Sequence, residues 1–207
     1  MLVIKIFVQI HREQDWHLPS KLLYSSKSLK NTLRKFDKKE LINELLDIKE
    51  FYESTNLLRN VKFSYRIKSI QSCILKYDKY YPSTELNKCY NDLLGIRIIL
   101  KDYNEVLVKD LSIFKVADMR NGKVNDDGYK GIHLYYQKSN RHYPIEIQIN
   151  SKFDRRFNDW LHIHLYKHTK NNNIGVFLRK KYDNNEIKNE DEFKEALKNV
   201  LSSCKKV

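Results

Sequence analysis

Glycine and proline are scarce, at five and three of 207 residues. That excludes long flexible linkers and favours one folded domain with helical extensions. Cysteine is almost as rare: Cys73, Cys89 and Cys204 show no metal-binding spacing and read as reduced thiols of a cytoplasmic protein. No apolar run is long enough to cross a membrane. The segment 1–10 is apolar but lacks the basic start, long apolar stretch and small-residue cleavage site of a signal peptide. Acidic residues are also in short supply: 26 Asp and Glu face 39 Lys and Arg, a formal net charge of +13. Such an excess points to an anionic partner, whether nucleotide, RNA or an acidic surface. A compositional bias toward lysine and asparagine is the competing explanation.

What is present is enough for a core. Hydrophobic residues make up 41% of the chain and aromatics 12%. Residues 1–59 read as an N-terminal helical region, with a short basic helix over 20–36 capped by Ser20. A second, amphipathic helix over 39–58 places Leu41, Leu45, Ile48 and Tyr52 at helical spacing. A helix is expected over 66–80, and Pro82 with the polar stretch 83–91 interrupts the pattern. Strands are expected at 94–100, 113–119, 131–137 and 143–150, with a short helix in 103–111 and a hairpin loop at 138–142. Helical spacing returns over 152–167. Residues 169–185, rich in Asn and Lys, read as irregular, and 186–203 as a last helix. Helices flanking a central mixed sheet give an α+β (α/β) class.

Two acidic residues on apolar strands stand out. Asp92 opens Asp-Leu-Leu-Gly-Ile-Arg, and Glu146 interrupts Tyr-Pro-Ile-Glu-Ile-Gln-Ile. Carboxylates at such places suit Mg²⁺, which takes hard oxygen ligands and shares them with substrate phosphates. In the expected helix, Lys68, Ser72 and Lys76 share one face, with Arg66 at its entry; cations so arranged suit a triphosphate, although a solvated basic face is the simpler alternative. In the expected hairpin, the apolar rows Ile132, Leu134, Tyr136 and Ile145, Ile147, Ile149 must share a face, which puts His133 and Tyr135 with Glu146 and Gln148. The alternative there is a half-exposed hairpin with a wet outer face. His162, His164 and His168 are close in sequence but lack suitable partners for zinc.

Four blocks, in order, resemble the synthetase domain of RelA/SpoT proteins, especially the small alarmone synthetases and their toxic tRNA-modifying relatives. They are Arg66-x-Lys68-x3-Ser72-x3-Lys76, Asp92-x-x-Gly95-x-Arg97, Gly128-Tyr129-Lys130-Gly131-x-His133 and Glu146-x-Gln148. His162 and Tyr166-Lys167 end the following helix as in the family. The resemblance implies a nucleotidyltransferase-like core over 60–168, with 169–207 as a C-terminal irregular segment and helix. It implies transfer of the β,γ-pyrophosphate of ATP to a ribose 3′-hydroxyl, that of GDP or GTP first, making (p)ppGpp in a stringent response. By the same resemblance Asp92 and Glu146 are catalytic and hold Mg²⁺. Arg66, Lys68, Ser72, Lys76 and Arg97 bind ATP, while Tyr129, Lys130, His133 and Gln148 bind the acceptor, with Tyr129 stacking on its base.

Two departures lie near the acceptor in the family. Gly122-Lys123-Val-Asn-Asp-Asp127 replaces Pro-Lys-x-Asn, and Asn150-Ser151 replaces Arg-Thr. ATP use is therefore better supported than guanine-nucleotide acceptance. The alternative acceptors are the 3′ end of tRNA, as in a toxin with an antitoxin partner, or an adenine nucleotide. A non-catalytic nucleotide- or RNA-binding module is the reading from another class, and the presence of both carboxylates opposes it. A homo-oligomer is compatible with the sequence.

Overall fold

The chain forms a five-stranded mixed sheet with helices around it, seen in a computed structural model whose described residues are 24–54, 64–107, 111–169 and 171–204. Helix α1 spans Lys38–Ser54 and is followed by strand β1, Ser64–Ile67. Helices α2 (Ile70–Tyr80) and α3 (Leu86–Cys89) lead into β2, Leu94–Leu100. After α4 (Asn104–Leu107) come β3 (Lys115–Asp118), β4 (Ile132–Tyr136) and β5 (Ile145–Ser151). Helix α5 (Lys152–Trp160) runs into a π-helical segment, Leu161–Leu165, before α6 (Asn172–Asp183) and α7 (Glu190–Cys204). The strand order is β1-β2-β5-β4-β3, and β1 pairs antiparallel with β2, Arg66 opposite Gly95 and Ser64 opposite Arg97. Among the described residues no helix is long and apolar enough to cross a membrane.

The described residues fall into two compact units interleaved along the chain. The first takes residues up to Ile98 with Asn104–Val116 and Leu134–Gln148. Its core is built by the apolar stripe of α1 (Leu41, Leu45, Ile48, Tyr52) with Cys73, Tyr77, Tyr90 and Leu94. The second takes Ile99–Tyr103, Ala117–His133 and the described residues from Ile149. Its core is largely aromatic: Phe157, Trp160, Tyr182 and Phe193 meet at ring separations of 4.9 to 6.4 Å. Inside it Arg179, only 4% exposed, is paired with Asp154 and Asp183 and lies over the rings of Phe153, Phe157 and Tyr182. Burial opposes the Arg179 charge and pulls its pKa down, with Asp183 acting against that pull. Such a cation is tolerated inside only because carboxylates meet it.

Four differences from the sequence reading have physical causes. The expected basic helix over 20–36 is, in its described part, an isolated bridge at Tyr24 and a single 3₁₀ turn, Leu33–Lys35; Ser20 lies outside the described residues. Leu29 and Leu33 are buried there as single anchors rather than as a stripe. The expected helix over 66–80 begins only at Ile70, because Ser69 caps it by accepting from the Ser72 amide at 3.3 Å. Arg66 therefore belongs to strand β1, and Lys68 to the link between them. The interruption over 83–91 contains the short helix α3. Residues 169–185 are mostly the helix α6, capped by Asn171, and Ile174, Leu178 and Tyr182 recur every fourth residue on its buried side.

Candidate functional site

In the first unit, four sequence-selected residues converge because of how β1, α2 and the entry to β2 are arranged. The β1–β2 ladder extends by the Lys68 amide, which donates to the Leu93 carbonyl at 2.9 Å. That bond sets Lys68 beside Asp92. Lys76, on α2, reaches the same place and also donates to the Cys89 carbonyl at 3.0 Å. The Asp92 carboxylate thus receives Lys68 Nζ at 2.6 Å, Lys76 Nζ at 3.0 Å and Arg66 at 3.5 Å. Asp92 is 9% exposed. Burial alone pushes its carboxyl pKa up; the Lys68 hydrogen bond and the charges of Lys76 and Lys68 outweigh it and hold the pKa below the usual carboxylate range. Cys73 and Cys89, both buried and free, border the cluster, and burial pushes each thiol up to about 11. Neither is a poised nucleophile.

Glu146 lies on β5, the neighbour of β2 in the sheet. It is 5% exposed, and its carboxylate accepts from the Tyr135 hydroxyl at 3.2 Å and the Gln148 amide at 2.8 Å. The Tyr135 contact puts these two residues on one face, the sharing that the apolar rows of β4 and β5 demanded. A Cβ at Gly95 would lie 3.7 Å from Glu146 Oε2, so Gly95 leaves open the space next to this carboxylate. Arg66 is opposite Gly95 in the ladder and therefore points to that side too. Arg66, Gly95, Arg97 and Gln148 line one small cavity of about 20 Å³. Ser72 is placed differently: its hydroxyl accepts from Ser69 Oγ at 2.9 Å, in the first turn of α2.

Carboxylates are the donors that Mg²⁺ uses together with substrate phosphates. The chemistry of Asp92 and Glu146 therefore fits such an ion. The cations around Asp92 fit phosphate oxygens.

The second unit holds Tyr129, Lys130 and His133. Gly128 has φ +85°, and a Cβ there would come within 2.4 Å of the Gly175 carbonyl oxygen on α6, so both conformation and contact demand glycine. The two departures from the family pattern are structural parts of this loop. Asp126 and Asp127 accept from the amides of Gly128 and Tyr129 at 3.0 and 3.1 Å. Lys123 pairs with Asp127 at 2.9 Å and stands over the Tyr129 ring at 4.7 Å. Asn150 is fully buried and donates to the Lys130 carbonyl at 3.0 Å and the Tyr129 hydroxyl at 3.4 Å. Ser151 caps α5 through Asp154. The Tyr129 hydroxyl also meets His133 Nε2 at 2.7 Å, and Lys130 Nζ pairs with Asp183 at 2.8 Å.

Three residues near these groups were given no site role by the sequence reading, although Tyr135 and Tyr166 were named in it. Tyr135 signalled itself only by sharing a row with His133. Asn158, which brackets the Lys130 peptide by accepting at 3.2 Å and donating at 2.7 Å, carried no signal in a polar helix. Tyr166 lies against Asp127, and burial, then Asp127, drive its pKa up. Of the three histidines, His164 packs on α7, with its Nε2 2.6 Å from Glu190 and its ring 6.1 Å from that of Phe193.

No curated protein matches the chain. Among solved structures, the small alarmone synthetase 1 of Bacillus subtilis bound to its product pppGpp aligns at 19% identity and TM-score 0.43, over 81% of this chain and 92% of that one. The small alarmone synthetase 2 of the same organism aligns at 21% and 0.35, over 84% and 95%. A GTP pyrophosphokinase family protein from Streptococcus pneumoniae aligns at 18% and 0.38, over 81% and 89%. The family described as the region found in RelA/SpoT proteins matches residues 65–171, which contain the Asp92 cluster, Glu146 and the Gly128–Gly131 loop, and the chain belongs to that family.

Proposed function

We propose that the protein is an ATP-dependent pyrophosphotransferase that moves the β,γ-pyrophosphate of ATP to the ribose 3′-hydroxyl of GDP or GTP. One observation carries the reading: a carboxylate surrounded by Arg66, Lys68 and Lys76, with Arg66 directed to the side of the sheet that the second carboxylate, Glu146, faces. In-line phosphoryl chemistry needs charge neutralisation and alignment more than covalent help. Arg66, Lys68, Lys76 and Arg97 neutralise the triphosphate, and the guanidinium groups orient its oxygens. Asp92 and Glu146 would hold Mg²⁺, which when bound screens the phosphates and polarises the transferred group.

The acceptor oxygen forms a bond to the β-phosphorus while the bond from that phosphorus to the α,β-bridging oxygen breaks, and AMP leaves. Where Glu146 does not hold the ion, it takes the hydroxyl proton, with Tyr135 and Gln148 fixing its carboxylate. Tyr129 offers its ring to the acceptor base, and His133 and Asn150 fix that ring through its hydroxyl.

A second acceptor reading, the 3′ end of tRNA, is favoured by the net charge of +13. Incubating the protein and Mg²⁺ with γ-labelled ATP and GDP, GTP, ADP or total tRNA tests both. Label on GDP or GTP is the expected result, label on tRNA moves the assignment to the second reading, and no label on any acceptor rejects transfer.

A further inference from the structure

Asp92 is placed oddly for a group that only waits for a metal. Its oxygens are already occupied by the ammonium groups of Lys68 and Lys76 at 2.6 and 3.0 Å, with Arg66 at 3.5 Å. Lys68 is almost as enclosed as its partner, with side-chain exposures of 11% and 12%. These are the cations that the phosphates require. A metal-free triphosphate that drew them away would leave Asp92 buried, unpaired and next to phosphate oxygens, and both conditions are costly. A triphosphate carrying a divalent cation brings Asp92 a new partner as the lysines leave. Charge counting agrees. Three cations and one carboxylate leave the cluster with two net positive charges. A free triphosphate carries about four negative charges and a divalent cation cancels two, so the complex is the closer match.

We propose that Asp92 is a specificity-determining residue that makes the site reject metal-free polyphosphate and accept only the metal-complexed form, by holding Lys68 and Lys76 until a cation releases them. This rests on reading the cluster as the ATP site. It differs from a plain metal-ligand role in one consequence: removing the carboxylate improves binding of metal-free polyphosphate.

Calorimetry with inorganic tripolyphosphate, in EDTA and in Mg²⁺, tests it. The wild type should bind at least about tenfold more weakly in EDTA than in Mg²⁺, and Asp92→Asn should tighten the EDTA affinity by about tenfold or more, as expected for removing a charge at such range. The gain should disappear when Lys68→Ala is added. It should not appear in Asp78→Asn, which makes the same charge change at an exposed pair with Lys38. An Asp92→Asn protein that is folded and gains nothing overturns the proposal, as does an equal gain in Asp78→Asn. If Asp92→Asn fails to fold, Asp92→Ser takes its place, and equal wild-type affinities in EDTA and Mg²⁺ overturn the idea without any variant. The labelled-ATP assay separates the two claims. A gain on losing Asp92 with no transfer to any acceptor keeps the gate and rejects the reaction, whereas transfer without that gain does the reverse.

Discussion

Asp92 is the residue at which the stability of the fold and the proposed chemistry meet. Asp92→Asn is expected to lower transfer by about 10²-fold or more, as for other losses of pre-organised charge. Undiminished Mg²⁺-dependent turnover by the folded variant would remove Asp92 from the reaction. The same residue has a pH signature. Its folded-state pKa lies below the ordinary value near 3.8, so its ion pairs stabilise the fold fully above about pH 4 and are lost as pH falls through the lowered value. The unfolding free energies of wild type and Asp92→Asn should therefore differ by a constant amount at neutral pH and converge in acid. A gap that widens in acid contradicts the assignment. Asn158 has a different kind of role. Asn158→Ala removes both hydrogen bonds to the Lys130 peptide and should cost about 1–3 kcal/mol, read as a lower midpoint of thermal unfolding. An unchanged midpoint would show that the loop needs no such bracket.

At the scale of elements, legibility followed burial. The strands β2, β4 and β5 alternate apolar and polar residues or carry continuous apolar runs, and their expected and observed bounds agree within a few residues. Strand β1 escaped notice because Ser64-Tyr-Arg-Ile sits at the sheet edge with three of its four residues exposed, so no apolar row marks it. Helix α6 escaped for the opposite reason: its buried row is present but diluted by Asn and Lys. The linear blocks of the candidate site were legible, since each is a short run. Of the contacts that complete it, the row shared by Tyr135 and Glu146 was legible from strand alternation, whereas Asn158 with Lys130 was not, because those residues are 28 positions apart and on different kinds of element. Helix α6 is also testable. Leu178 is fully buried, so Leu178→Ala should cost about 2–5 kcal/mol. Asn171→Ala, which loses only the cap, should cost about 1 kcal/mol. Were 171–183 irregular, chemical denaturation would find both changes near neutral.

For the whole molecule the open question is what the excess positive charge serves. Three of its cations are spent on Asp92, and Lys130 and Arg179 on Asp183, so these five are engaged within the fold. Much of the net charge of +13 therefore lies outside these two clusters. If that surface recruits RNA, several phosphate contacts form at once, and affinity falls by orders of magnitude between about 50 and 200 mM salt. A mononucleotide acceptor touches few cations and lacks that steepness. The guanine-nucleotide reading thus predicts that the specificity constant for the acceptor falls with salt no more steeply than that for ATP. Measuring transfer across a salt series, with ATP and acceptor varied in turn, provides the comparison. A steep loss confined to the acceptor would favour tRNA, because at fixed ATP only a polyanionic acceptor adds phosphate contacts that salt can screen away.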